Sequence, residues 1–244
     1  MTGRGRDREP LDFRTRWAGA ERMDDPACDE SALCRTVDQF ASLNRLVSRY
    51  RSILSRWVLD DMRTTDVGRV WHLADLGAGG CDIPVWLLRE ARRRGLRLTV
   101  TAIDADPRIV RHARRIHGHE LDLDIRFGNL IDIDALGPVD YLFANHVLHH
   151  LPDEAIPAVL ARMHAAARRR WVVSDLSRSR WAYVGFHILG PLYRDSFALE
   201  DGLRSIRRGF TIPELTAHLH AAGLAGKASL HRLVPARLCL MGGS

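Results

Sequence analysis

LADLGAGGCDIP, residues Leu73 to Pro84, runs from an apolar, strand-like stretch through a glycine turn into the start of a helix. A dinucleotide-binding turn has the form G-x-G-x-x-G, whose glycines let a pyrophosphate approach the N-terminus of the next helix. Gly77 and Gly79 supply the first two glycines, but Asp82 stands at the third position. A carboxylate there gains about 0.3–1 kcal/mol from the positive end of the helix and repels a phosphate. Asp75 adds a second carboxylate at the strand end. The pair suits a ligand that brings positive charge, such as an ammonium or a sulfonium.

Working outward, strands alternate with helices. RVWHLADLG reads as a strand and IPVWLLREARRRG as a helix closed by Gly95. RLTVTAIDAD is a second strand, followed by a helix with Pro107 in its first turn. LDIRFGNL, VDYLFANHV and RRWVVSDL are the third to fifth strands, with the helix DEAIPAVLARMHAAARR before the last. This order predicts an α/β fold, a parallel sheet covered by helices on both faces. The second strand ends in Asp104, at the distance where an acidic residue grips ribose hydroxyls. The turn therefore reads as a nucleoside site without a pyrophosphate.

The flanks differ in character. From Val37 to Val58 apolar residues recur every three or four positions, which predicts one amphipathic helix ahead of the nucleotide-binding unit. The segment before it is polar and arginine-rich and reads as a disordered tail, with no apolar block for a secretory signal. Residues 1–66 are thus tail and helical extension, and 67–176 the cofactor-binding core. From 177 to 210 the pattern breaks into an irregular, aromatic and arginine-rich insertion, a lid near the carboxyl ends of the strands, where ligands bind. Residues 211–244 return to a helix and two strands.

Composition narrows the classes. With 244 residues, 46% of them hydrophobic, the chain can bury a substantial core. No run is long enough for a membrane helix. Four cysteines without paired spacing read as reduced thiols of a cytoplasmic protein. The net charge of +6 comes from arginine almost alone, Lys227 being the single lysine, and the basic clusters lie on helix faces. Without a zinc-finger or aromatic RNA-binding motif, a nucleic-acid partner is not expected.

DLGAGG, with AIDAD, FGNL and YLFANHVLHHL in that order, resembles the class I S-adenosylmethionine-dependent methyltransferases from about Val70 onward. The resemblance implies a Rossmann-like seven-stranded sheet in the order 3-2-1-4-5-7-6, its last strand antiparallel. It implies S-adenosylmethionine as cofactor and S-adenosylhomocysteine as product. Gly77, Ala78 and Gly79 would admit the methionine part, Asp75 and Asp82 its ammonium, and Asp104 with Ala105 the ribose. Asn129 and Leu130 would meet the adenine, and Asn145 would lie beside the donor. Cys81 stands where many relatives have another glycine, and Asn129 where many have aspartate.

Methyl transfer to oxygen or an activated carbon releases a proton, for which histidine is a natural base. NHVLHHL places His146, His149 and His150 past the fourth strand. On a helical turn His149 and His150 are expected to point apart, and one of them is the candidate base. The run lacks the glutamate of an H-E-x-x-H helix and has no nearby cysteine, so no metal is expected. EDGLRSIRRGFTIPEL and LNRLVSRYR resemble segments of a bacterial methyltransferase group associated with phenolic and polyketide metabolites. That resemblance marks Asn44, Tyr50, Asp201, Ser205, Arg207 and Arg208 as substrate-side residues. His187 and Tyr193 belong to the aromatic lid. Glu200 stands where members of the group often have histidine, and is a third catalytic candidate.

The expected acceptor is a small molecule, aromatic or isoprenoid. The leading expectation is methylation of a phenol, quinol or polyketide-derived compound, on oxygen in preference to carbon. Carbon methylation, of an isoprenyl diphosphate held by lid residues or of an aromatic carbon, is the alternative, and a non-catalytic cofactor-binding regulator or partner protein ranks third. Monomer and homodimer both remain open.

Overall fold

The computed structural model describes residues 11–243. Strands β1 (Val70–Leu76), β2 (Arg97–Asp104), β3 (Leu123–Phe127), β4 (Val139–Asn145), β5 (Ala167–Leu176), β6 (Ala228–Leu233) and β7 (Arg237–Gly243) form one seven-stranded sheet. Their order is β3-β2-β1-β4-β5-β7-β6, with only β7 antiparallel to its neighbours. The predicted fold and strand order are both observed. The central strand β4 is buried along its whole length, as expected for a strand covered on both faces.

Helices α4 (Asp82–Arg93), α5 (Pro107–His117), α6 (Ile156–Ala166) and α9 (Ile212–Ala221) cover the sheet. Each begins on a local signal. Asp106 caps α5 with Pro107 at its start, and Thr211 and Glu214 form a reciprocal capping box on α9. Two apolar layers result. One gathers Trp171, Phe210, Met163 and Leu160; the other gathers Trp71, Tyr141, Phe143 and Leu88. Because β1, β2, β4 and β5 run parallel, their carboxyl ends collect Leu76, Asp104, Asn145 and Leu176 on one rim. Among the described residues, no helix is long and apolar enough to cross a membrane.

The flanks depart from expectation in three ways. The single helix expected from Val37 to Val58 is two: α1 (Glu30–Val47), then a helical run that begins with α2 (Tyr50–Leu54) and ends with α3 (Asp60–Thr65). The chain turns between them because Ser48 Oγ donates back to the Asn44 carbonyl and Arg49 takes φ 57°. Apolar spacing continues across this break, since both helices bury a face. The insertion at 177–210 is not irregular but carries α7 (Arg180–Leu189) and α8 (Ala198–Arg208).

The third departure is the N-terminal tail. Residues 1–10 lie outside the described part. From Leu11 to Asp29, however, the chain is tied down as a strap across the rim. The buried Asp201 carboxylate accepts from the backbone N–H groups of Arg22 (2.7 Å) and Met23 (2.9 Å). Arg178 donates to the Phe13 and Arg14 carbonyls. Backbone pairing of this kind leaves no apolar periodicity in the sequence. Asp201→Ala should strip two amides of their acceptor, at about 1–3 kcal/mol. Amide exchange at Arg22 and Met23 should then rise by at least tenfold; unchanged protection would show that other contacts hold the strap.

Candidate active site

One cavity of about 1180 Å³ opens at the carboxyl rim of the sheet. Its floor is the glycine turn. Gly77 has φ 71°, and a Cβ there would lie 2.3 Å from Val147, so only glycine fits. Gly79 has φ 53° with open space beyond its missing Cβ, which leaves room for a ligand against its backbone. Cys81, at the departed glycine position, still adopts the left-handed conformation, φ 62°. The turn therefore keeps its shape without the third glycine. Asp104 braces it: one oxygen accepts from Gly79 N (2.9 Å) and the other from Asp106 N (3.0 Å).

The cavity wall carries an excess of buried acid. Burial, with Asp82 and Asp104 nearby, raises the Asp75 carboxyl well above its ordinary range. Burial pushes Asp82 up to about 6, and its Oδ2 has no hydrogen-bond partner. An ammonium or sulfonium placed here would relieve both. Ala78, Ala105, Asn129, Leu130 and Asn145 line the same cavity, so every residue expected on the cofactor side faces it. α1 roofs it with Val37, Phe40, Leu43, Asn44 and Val47. This explains an amphipathic helix that stands outside the sheet core.

The histidines after β4 line the same cavity. His146, directly after β4, takes φ 60°, a strained conformation for a side chain this large. It is half-buried, and burial with Arg237 nearby holds it neutral, well below the usual histidine range. His149 and His150 do not point apart. They sit on a short 3-10 turn, Leu148–His150, with ring centroids 4.3 Å apart and planes tilted 37°. His149 Nδ1 lies 2.7 Å from Asp175 Oδ1, and its backbone N–H donates to Asp175 Oδ2. Burial opposes ionisation of Asp175, but the adjacent His149 outweighs it and holds the carboxyl well below its ordinary range.

A fourth residue completes this group. Glu21 reaches down from the strap, almost wholly buried, with Oε1 3.6 Å from His149 Nε2 and Oε2 3.9 Å from His150 Nε2. Ser205 Oγ lies 2.8 Å from the same Glu21 Oε1. Asp24 Oδ1 lies 3.4 Å from His150 Nδ1. Burial lowers the His150 pKa, yet Asp24 and Glu21 prevail and its net direction is upward.

Residues 74–170 match a family described as a methyltransferase domain. Residues 74–170 thus carry a methyltransferase domain. No curated protein shows a significant match. Among solved structures, the plantazolicin methyltransferase BamL, in complex with a triazolic desmethyl-plantazolicin analogue and S-adenosylhomocysteine, superposes with a TM-score of 0.60 at 13% identity. That match covers 86% of this chain and 90% of that one. NcsB1, an O-methyltransferase from neocarzinostatin biosynthesis in complex with S-adenosylhomocysteine and 1,4-dihydroxy-2-naphthoic acid, gives 0.59 at 17%, covering 93% and 62%. The CurJ carbon methyltransferase gives 0.60 at 13%, covering 88% and 61%. At these identities the likeness establishes the fold.

The methyltransferase's donor is S-adenosylmethionine, and the cavity fits it. Gly79 leaves backbone open, the unpartnered Asp82 oxygen and buried Asp75 await a cation, and Asp104 faces the cavity from the second strand. A pH test follows. The anionic carboxylates are the forms that attract the ammonium, and a raised pKa means protonation as pH falls through about 6. Affinity for S-adenosylhomocysteine should therefore drop about fivefold between pH 6 and 5 from Asp82 alone, with Asp75 adding to the loss. Calorimetry across that range checks it, and a flat profile would separate both carboxylates from the ammonium.

On the acceptor side of the methyltransferase, Asn44, His146, His149, His150 and Ser205 line the cavity, while seven expected residues do not. Glu200 is exposed and paired with Arg204 (2.6 Å) and Arg22 (3.4 Å). Asp201 holds the strap. Arg208 donates to the His149 and Gly19 carbonyls, and Arg207 lies over the Trp17 ring. Tyr50 packs edge-on against Trp86, Tyr193 stacks on Phe186, and His187 is exposed. These residues brace the lid and strap around the cavity. The carboxylate at the histidines is Glu21 in place of Glu200. Nothing in the polar tail marks Glu21; Asp175 had a signal, an acid at the end of the apolar strand RRWVVSDL.

Proposed function

We propose that this chain transfers the methyl group of S-adenosylmethionine to an oxygen of a small phenolic, quinol or polyketide-derived acceptor, in specialised metabolism. One observation carries the reading: a single cavity runs from the acidic glycine turn to the Asp175-backed histidine cluster. Its volume exceeds what a typical ligand of this size needs, leaving space for an acceptor beside the donor. The bound donor supplies an electrophilic methyl on a cationic sulfur. The chain's own task is to place the acceptor oxygen in line with that methyl and to remove its proton.

Asp75 and Asp82 would orient the donor through its ammonium, and Asp104 with Ala105 through its ribose. Asn129 and Leu130 would border the adenine. The acceptor would lie between α1 and α7, against Phe186, Leu189 and Trp181, with its hydroxyl at the His149–His150–Glu21 cluster. These apolar walls suit a flat, greasy molecule. NcsB1, whose fold is shared, holds a dihydroxynaphthoic acid. The isoprenyl diphosphate alternative has less support, because Arg207 and Arg208 of the lid do not line the cavity, although Arg108, Arg232 and Arg237 do.

Incubation with methyl-labelled S-adenosylmethionine and a panel of phenols, quinols and isoprenyl diphosphates tests the proposal. Label on a phenolic oxygen, located by NMR, supports it. Label only on carbon, or only on a diphosphate, refutes it.

A further inference from the structure

We propose that Glu21, His149 and His150 form a binding site for a divalent transition ion of the zinc class, with its open position facing the acceptor cavity. The three side chains offer ligand atoms that all lie within 4.8 Å of one another. Glu21 Oε1 stands 3.6 Å from His149 Nε2, and Glu21 Oε2 stands 3.9 Å from His150 Nε2. Both separations are too long for a hydrogen bond. Ligand atoms about 2.1 Å from a tetrahedral ion are about 3.4 Å apart, close to the separation of each imidazole from its nearer Glu21 oxygen.

Three further observations point to a cation. His149 Nε2 is buried without a hydrogen-bond partner and aims at Glu21. Its Nδ1 is 2.7 Å from Asp175, an arrangement that puts the proton on Nδ1 and the lone pair on Nε2. A lone pair turned toward a buried carboxylate is unfavourable unless positive charge lies between them, either a second ring proton or a bound cation. His150 repeats the pattern, its Nδ1 facing Asp24 at 3.4 Å. Each imidazole thus has a carboxylate behind it, as metal-bound histidines usually do. The gap is also suited to an ion: the Nε2 atom of His149 is closed to a water-sized molecule, but a bare cation is smaller.

Two histidines and a glutamate with one position open is a donor set of catalytic zinc sites. This part rests on the proposed acceptor placement. The ion would carry a hydroxide, formed from bound water by loss of a proton to solvent. That hydroxide takes the acceptor's O–H proton and departs as water, and the acceptor oxygen takes its place on the ion. The oxygen then bonds the methyl carbon as the carbon–sulfur bond breaks, its electron pair returning to sulfur.

The test uses the full chain, stripped with a chelator and titrated with Co²⁺, followed by its visible ligand-field absorption. One equivalent should bind, be displaced by Zn²⁺, and lose at least tenfold in affinity in both Glu21→Gln and His150→Ala. S-adenosylhomocysteine affinity of each variant confirms that it is folded. No cobalt spectrum, or equal binding by the variants, overturns the site and leaves His149 as an unmetallated base. Cobalt binding that depends on these residues, in a protein that methylates no phenol or quinol, keeps the ion site and removes the acceptor reading.

Discussion

Asp104→Ala should weaken S-adenosylhomocysteine binding by at least tenfold, about 1.4 kcal/mol. Two losses act together. The carboxylate facing the ribose position disappears, and Gly79 N and Asp106 N lose the acceptor that holds the turn in place. Asp104→Asn separates them. Its amide oxygen can still accept from Gly79 N, so the turn should survive while one ribose contact loses its charge. The asparagine variant should therefore fall between wild type and alanine in calorimetry. Alanine binding as tightly as wild type would mean that the nucleoside lies elsewhere in the cavity.

His149→Ala should lower turnover by at least 100-fold while shifting S-adenosylhomocysteine affinity by less than threefold. Removing a positioned proton acceptor typically costs 10²- to 10⁴-fold. His149 is held by Asp175 and faces Glu21, not the carboxylates of the glycine turn, so the donor should scarcely register the change. The same loss is expected whether His149 takes the proton itself or ligates an ion that does. Asp175→Asn should reproduce part of it, because an amide no longer fixes the imidazole with its Nε2 lone pair toward the cavity. Full turnover in His149→Ala would exclude the cluster from the chemistry.

The mutual dependence of strap and cluster bears on the reading of Asp201. Its carboxylate, pushed up to about 6 chiefly by burial, anchors the backbone of Arg22 and Met23, and so positions the adjoining Glu21. A residue that resembles a substrate contact in sequence acts here one step removed, by holding the segment that carries the functional carboxylate.

Local chemistry was legible in the sequence. The glycine turn with Asp75 and Asp82, the strand-end Asp104 and the strand–helix alternation each depend on residues close in the chain. From them follows the parallel sheet, whose strand order came from the family resemblance that the same motifs carry. Backbone geometry then confirms why the turn tolerates Cys81, since the left-handed conformation is kept without glycine. The acceptor side was legible only as a histidine run. Whether His149 and His150 diverge or converge depended on a 3-10 turn and on a carboxylate arriving from far away. Tyr50, Arg207, Arg208 and Glu200 carry the right residue types, but tertiary packing turned them toward Trp86, Trp17, the His149 carbonyl and Arg204. Sequence alone marked the glycine turn and the carboxylates that line one cavity, because periodicity and turn chemistry are local. Only the tertiary structure decided which groups gather at the histidine run, because β5 brings Asp175 beside His149 and the distant strap brings Glu21.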